Sequence, residues 1–137
     1  MDDNKVRLDV VAPNGLVLSE DVDELTAAGS EGEFGVLPGH VPFITTLKPG
    51  MLIIRNGGKT EYVFVSSGYA EVTFNKVVVL ADSAERAEDI DIDRALAARK
   101  RAEERLRQAE KIDFGRATAA IQRATIRVQV AEKKTAK

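Results

Sequence analysis

Four arginines carry the spacing best suited to joint chemistry. Arg94 and Arg101 stand seven residues apart, and Arg123 and Arg127 stand four apart. On α-helices, with about 3.6 residues per turn, each pair lies near one face. A guanidinium presents a planar fork of N–H donors that fits carboxylate or phosphate oxygens, so several brought together make an anion site. His40 is the sole imidazole and there is no cysteine. It lies in Pro38-Gly39-His40-Val41-Pro42 with no Ser/His/Asp or Cys/His partners, so a loop histidine bonded to backbone is expected rather than a nucleophilic or metal centre. No glycine-rich loop with a following Lys and Ser/Thr is present, so nothing resembles a hydrolytic nucleotide site.

Composition sets the bounds on what could position these arginines. With 137 residues, 44% hydrophobic and 31% charged, the chain has room for one small core and an appendage. The start, Met1-Asp2-Asp3-Asn4-Lys5, lacks the basic and then apolar pattern of a signal peptide, and apolar runs such as Val77 to Ala81 are far below a membrane span. The net charge of -2 conceals a division. Residues 1–92 hold seven Lys/Arg against sixteen Asp/Glu, net -9, whereas residues 93–137 hold thirteen against six, net +7. A basic tail of this kind meets nucleic acid, a phosphorylated ligand or an acidic protein surface.

The first part of the chain reads as short strands. Val6, Leu8 and Val10 alternate with Lys5, Arg7 and Asp9. Further runs cover Leu16 to Leu18, Val22 to Leu25, Phe43 to Leu47, Met51 to Arg55, Glu61 to Val65, Tyr69 to Phe74 and Val77 to Leu80. Turn signals separate them, among them Pro13-Asn14-Gly15, Lys48-Pro49-Gly50, Asn56-Gly57-Gly58 and Asn75-Lys76. Many short strands closely spaced predict a β-sandwich over 1–88. After Leu80 proline vanishes and glycine survives only at Gly115, while Ala, Arg, Lys and Glu dominate. Residues 89–137 therefore read as an antiparallel two-helix hairpin, roughly 92 to 110 and 114 to 133. Asp91 or Asp93 can cap the first helix and Asp113 marks the start of the second. Ala95, Ala98, Ala102, Leu106 and Ala109 form one apolar stripe, and Ala117, Ala120, Ala124, Val128 and Ala131 the other. Facing alanines allow close approach but bury little area, so a lightly held pair is expected.

One string is distinctive: Ser30-Glu31-Gly32-Glu33-Phe34-Gly35-Val36-Leu37-Pro38-Gly39-His40, followed by Pro42 and by Leu47-Lys48-Pro49-Gly50. With Leu8-Asp9-Val10-Val11, Val79-Leu80-Ala81-Asp82 and the helical tail, it closely resembles the epsilon subunits of bacterial F-type (rotary) ATP synthases, in the family's order and over essentially the whole chain. The resemblance implies a mostly β N-terminal sandwich followed by an α-helical hairpin. It implies a non-catalytic rotor subunit of the central stalk of a proton-translocating enzyme, on the cytoplasmic face of the bacterial inner membrane and held there only through the complex. The implied partners are the gamma subunit, the c-ring loops, met through Glu31, and the alpha and beta subunits, met by the extended helices. The helices would restrain ATP hydrolysis.

Ile90-Asp91-Ile92-Asp93-Arg94-Ala95 is similar to the ATP-binding motif of such subunits. No cofactor is required, but ATP is implied as a regulatory ligand of Asp91, Arg94, Arg101, Arg123, Arg127 and Glu85. A turn centred near residue 112 would set Arg101 opposite Arg123, and the four guanidinium groups would then converge at the open end of the hairpin. The competing readings are an Arg-rich solvated face bridged to Glu103, Glu104 and Glu110, or a nucleic-acid-binding hairpin. The latter finds one aromatic residue for stacking in the tail, Phe114.

Overall fold

Side-chain alternation decides which strand faces are buried. In the first strand Val6, Leu8 and Val10 are sealed from solvent while Arg7, Asp9 and Val11 remain partly accessible. A computed structural model describes residues 4–108 and 111–133, with the side chains of the second helix from residue 114 onward. Among these residues ten strands run in order: β1 (Val6–Ala12), β2 (Gly15–Val22), β3 (Glu24–Gly29), β4 (Gly32–Val36), β5 (Phe43–Leu47), β6 (Gly50–Asn56), β7 (Lys59–Val65), β8 (Gly68–Val72), β9 (Lys76–Ala81) and β10 (Ala84–Arg86). A single 3-10 turn, Ala87–Asp89, leads to α1 (Ile92–Gln108) and α2 (Lys111–Lys133).

The strands form one sheet in the order β10-β7-β6-β3-β5-β8-β9-β1-β2, with β4 paired to β3. β1 and β9 run parallel, and every other pairing is antiparallel. β3 and β5 share the single register pair Gly29↔Leu47, so the sheet folds over there and its halves face each other. The principal core fills the space between them, from Leu8 and Val10 on β1 through Leu25, Leu52, Ile54 and Val63 to Val77 and Val79. The loop into β8 needs glycine: Gly68 has φ +150°, and a Cβ there would stand 2.0 Å from the Leu80 carbonyl oxygen.

A second, smaller core joins helices to sheet. It comprises Phe64, Ala87, Ile90, Ala95, Val128, Val130 and Ala131, flanked by the partly buried Met51, Tyr62, Ile92 and Ile126. Val63, Phe64 and Val65 are consecutive yet all buried, because Val63 and Val65 face the principal core while Phe64 faces the helices. The docked helices thus cover the outer face of β6 and β7. Lys133 adds its ammonium 5.5 Å above the Tyr62 ring.

The β-sandwich and paired helices are as the sequence predicts, with local corrections. The run Val22 to Leu25 is two strands broken at Asp23, whose carboxylate is drawn aside to Lys5 Nζ at 2.5 Å and to the Gly57 N–H at 2.8 Å. β8 stops at Val72, where Thr73 turns the chain by donating its N–H to the Lys76 carbonyl at 2.8 Å. β10 is a further strand beyond the runs expected from the sequence. Asp91, not Asp93, caps α1, its Oδ1 accepting the Arg94 N–H at 3.2 Å. α2 begins at Lys111 rather than at residue 114, so Asp113 lies within the helical backbone instead of before it. The connection, with Ala109 and Glu110, lies outside the described residues. Ala95, Ala102, Ala117, Ala124, Val128 and Ala131 are buried along the expected stripes, while Ala98, Leu106 and Ala120 are half-buried. The hairpin is held by more than alanine, since Val130, Ile126 and Ile90 seat it on Phe64.

Two outcomes follow from the separate cores. A chain ended at Glu88 is expected to keep its strand circular dichroism and cooperative melting, but to bind a hydrophobic dye at the uncovered Phe64 face. Val130→Ala is expected to weaken helix docking by about 2 kcal/mol, read as faster amide exchange confined to α1 and α2 while the β-sheet amides keep their protection.

Candidate functional site

β10 has only three residues, and its alternation assigns them to opposite sides of the sheet. Glu85 pairs in register with Phe64, on the helix side, whereas Ala84 and Arg86 pair with Val65 and Val63, on the core side. Glu85 therefore meets α2. Arg127 grips it with two bonds, Nε to Oε1 at 2.6 Å and Nη2 to Oε2 at 3.1 Å. The side chains are 25% and 33% exposed, enough shielding for a fork-to-fork pair to hold its geometry. The bond to Glu85 fixes the Arg127 guanidinium more firmly in its charged form; desolvation opposes this, and the charges of Glu85 and Asp91 assist it.

Asp91 lies at the same junction. Its carboxylate accepts the Arg94 N–H, its carbonyl accepts the Ala95 N–H at 3.0 Å, and its charge acts on Arg127. The structure thus gathers Glu85, Asp91, the start of Arg94 and Arg127 where β10, α1 and α2 meet. Arg94, Arg101 and Arg123 are exposed, and among the described residues no ion pair engages them. The earlier start of α2 changes the count on which the expected opposition of Arg101 and Arg123 rests. Counting equally from Gln108 and Lys111 sets Arg101 level with Thr118 and Arg123 level with Leu96. Arg123 is then close in level to Arg94 and Arg127, and Arg101 lies farther along α1. Of the solvated-face contacts, Arg99 Nε stands 3.7 Å from Glu103, and Glu110 is outside the described residues.

Glu31 is exposed at the tip of the β3–β4 hairpin. Ser30 anchors the tip, donating its N–H to the Thr46 carbonyl at 2.9 Å and accepting the Thr46 hydroxyl at 2.7 Å. His40 Nδ1 lies 2.7 Å from the Val41 carbonyl oxygen and its ring 5.2 Å from that of Phe43, a backbone-bonded loop histidine. Among the described residues, no group of three or more His, Cys, Asp or Glu side chains is placed to hold a metal ion. Ile90 enters the sequence argument only as part of its motif and Ala87 not at all, yet both bury their side chains beneath the junction. Their signal was a lone apolar residue on either side of Glu88-Asp89 in a polar stretch.

The comparisons with known proteins cover both parts of the chain. Residues 5–87 match the family model for the β-sandwich domain of the ATP synthase delta/epsilon chain, and residues 88–132 match the model for its long α-helix domain. An ATP synthase epsilon chain of Nitratidesulfovibrio vulgaris strain DP4 is 59% identical over 106 residues, covering 77% of this chain and 79% of the relative. That of Pelotomaculum thermopropionicum is 57% identical over 77% of this chain and 79% of its own. That of Thermodesulfovibrio yellowstonii is 50% identical over 77% and 76%. In fold, the chain is similar to one in the cryo-electron microscopy structure of the Euglena gracilis mitochondrial ATP synthase, OSCP/F1/c-ring, with a TM-score of 0.79 at 23% identity over 98% of this chain and 82% of that one. With both domain models matched in order and bacterial epsilon chains at half identity or more, the chain belongs to the ATP synthase delta/epsilon family, as a non-catalytic epsilon chain of the F-type complex.

Proposed function

We propose that this chain is a regulatory rotor subunit whose docked helices are the resting form of a movable brake on ATP hydrolysis. The observation that carries this reading is the separation of the two cores: the helices sit on the outer face of a sandwich that is complete without them, held by a small apolar patch and the Glu85–Arg127 pair. Such an attachment can be exchanged for another without unfolding the sandwich. The sandwich provides the anchor to the gamma subunit and, through the exposed Glu31 turn, to the loops of the c-ring. The basic helices, once extended, meet acidic surfaces of the alpha and beta subunits. Among the described residues no helix is long and apolar enough to cross a membrane. Attachment to the cytoplasmic face of a bacterial inner membrane would run through the complex.

ATP is the regulatory ligand this reading assigns to the junction. Arg94 and Arg123 offer exposed guanidinium groups, which no ion pair engages among the described residues, at the open end of the hairpin, with Arg101 farther along α1. Arg127 is oriented by Glu85, and Asp91 fixes the first turn of α1. Four guanidiniums against two carboxylates leave a net positive site for a triphosphate. ATP bound across both helices would favour the docked form by mass action, by about 2.7 kcal/mol at 100 times its dissociation constant. No nucleic-acid role is assigned.

The complex rebuilt with a chain ended at Glu88 is expected to assemble with gamma and to hydrolyse ATP faster than the complex with the full chain; an equal rate would mean the helices do not restrain it. Calorimetry of the full chain with ATP is expected to show binding that Arg94→Ala and Arg123→Ala each weaken at least several-fold. Silence at millimolar ATP would remove the nucleotide from the reading. Arg127→Ala is expected to lower helix docking by about 1 kcal/mol, the range of a partly screened two-bond ion pair, seen as faster exchange of α2 amides.

A further inference from the structure

Glu20 lies on the wrong side of its strand for a charged residue. Leu18, Glu20 and Val22 share one face of β2, Leu18 and Val22 belong to the principal core, and Glu20 pairs across β1 with Leu8, which is fully buried. The carboxyl oxygen Oε1 of Glu20 is buried and accepts no hydrogen bond among the described residues. β2 ends the sheet on one side and β10, beside β7, ends it on the other. Folding the sheet over brings these ends together, so Glu20 looks across the closing seam.

The groups across the seam are also core-side. Glu61 alternates with Val63 and Val65 on β7, and Arg86 pairs with Val63 on β10. Glu61, Arg86 and Glu88 are the charged groups that act on Glu20 from across the seam. Arg86 Nη1 is 3.5 Å from Glu88. One guanidinium therefore acts on both Glu20 and Glu88. Two facing carboxylates cannot hydrogen-bond while both are ionised, because neither has a donor. A proton kept on Glu20 supplies the missing donor and leaves Arg86 to balance the remaining charge.

We propose that Glu20 and Glu61 form a proton-holding seam that closes the sandwich, and that β10 transmits the state of this seam to the docking of the helices. The transmission is built into the strand: Arg86 points to the seam while its neighbour Glu85 holds Arg127 of α2 on the opposite side. The turn that follows carries Glu88 to the seam and Ala87 to the helix core. Loss of the proton sets carboxylate against carboxylate beside Arg86, moves β10 and its turn, and loosens the grip on α2. Glu61 and Glu88 also line a cavity of about 830 Å³ together with Tyr62, Ala87 and Lys133, which gives this side of the seam access to solvent.

The direction in pH is fixed by the burial. Desolvation, reinforced by the Glu61 charge and only partly offset by Arg86, pushes the Glu20 carboxyl above its usual value of 4.5. The seam thus keeps its proton into a range where an ordinary glutamate has lost it, and docking weakens as pH rises through the raised value, by at most about tenfold per pH unit. An inward charge that merely blunts the exposed edge of β2 against aggregation would give no such slope.

The test is carried out on the full chain. Carboxyl-carbon NMR titration reads Glu20 and Glu61 directly, and amide exchange of α2, corrected for its intrinsic pH dependence, reads helix opening. In the native sequence Glu20 is expected to titrate above the ordinary glutamate range, and α2 opening to increase with pH over the same interval. Glu20→Gln, which keeps the shape and supplies a donor without titrating, is expected to abolish that increase; Glu61→Gln serves the same purpose should the first variant fail to fold. An ordinary titration of Glu20, α2 opening indifferent to the seam's titration, or the same pH slope in a folded Gln variant would each overturn the proposal. ATP is absent throughout, so the result stands apart from the nucleotide reading.

Discussion

The outer face of β7 must be covered, and much of the architecture follows from that requirement. Phe64 turns a large aromatic side chain away from the principal core and is nevertheless 3% exposed. Uncovered, it would join Met51 and Tyr62 in an apolar patch on the sheet. The helices are drawn to this patch by burial, which has no directional preference, and are then fixed in position by a directional contact, the Glu85–Arg127 fork. Each contact alone would leave the pair loose, the first free to slide and the second exposed to salt.

Charge acts over a longer range than either. The sandwich carries most of the acidic residues and the helices most of the basic ones, and the ion pair that joins the two parts among the described residues is Glu85–Arg127. The attraction that remains is diffuse, favours docking at low ionic strength and weakens as salt screens it. It also leaves most of the arginines on α1 and α2 exposed and available to other acidic surfaces.

Much of the fold was legible because it rests on periodicity. The alternation in β1 and the alanine stripes of α1 and α2 report buried faces directly, and glycine-containing turns divided the strands. The misreadings lie where a long-range contact overrides local pattern. Asp23 breaks an apolar run because Lys5 and Gly57 claim its carboxylate. β10 is a strand because β7 offers it an edge, not because Ala84-Glu85-Arg86 favours extension. The candidate site was legible as residue types but not as an arrangement. A helix that starts three residues earlier shifts the count by which arginines on the two helices are matched, since register in a helical hairpin is set by the connection. The tilt of Glu20 toward the core was present in the alternation Leu18-Glu20-Val22, but a glutamate in that place reads as an exposed residue until the facing strands are known.

The parallel pairing of β1 with β9 has a consequence for how the chain acquires its shape. β1 can zip to β2 at once, because the connection is short, but its other edge waits for Lys76–Ala81 to arrive. More than sixty intervening residues must be made and ordered before that edge is closed. During synthesis the first hairpin therefore emerges with an unsatisfied strand edge, and the sheet seals only when most of the sandwich has left the ribosome. Such non-local closure places the molecule among slow-folding topologies. The helices, last to appear, find their docking face on a sheet already closed.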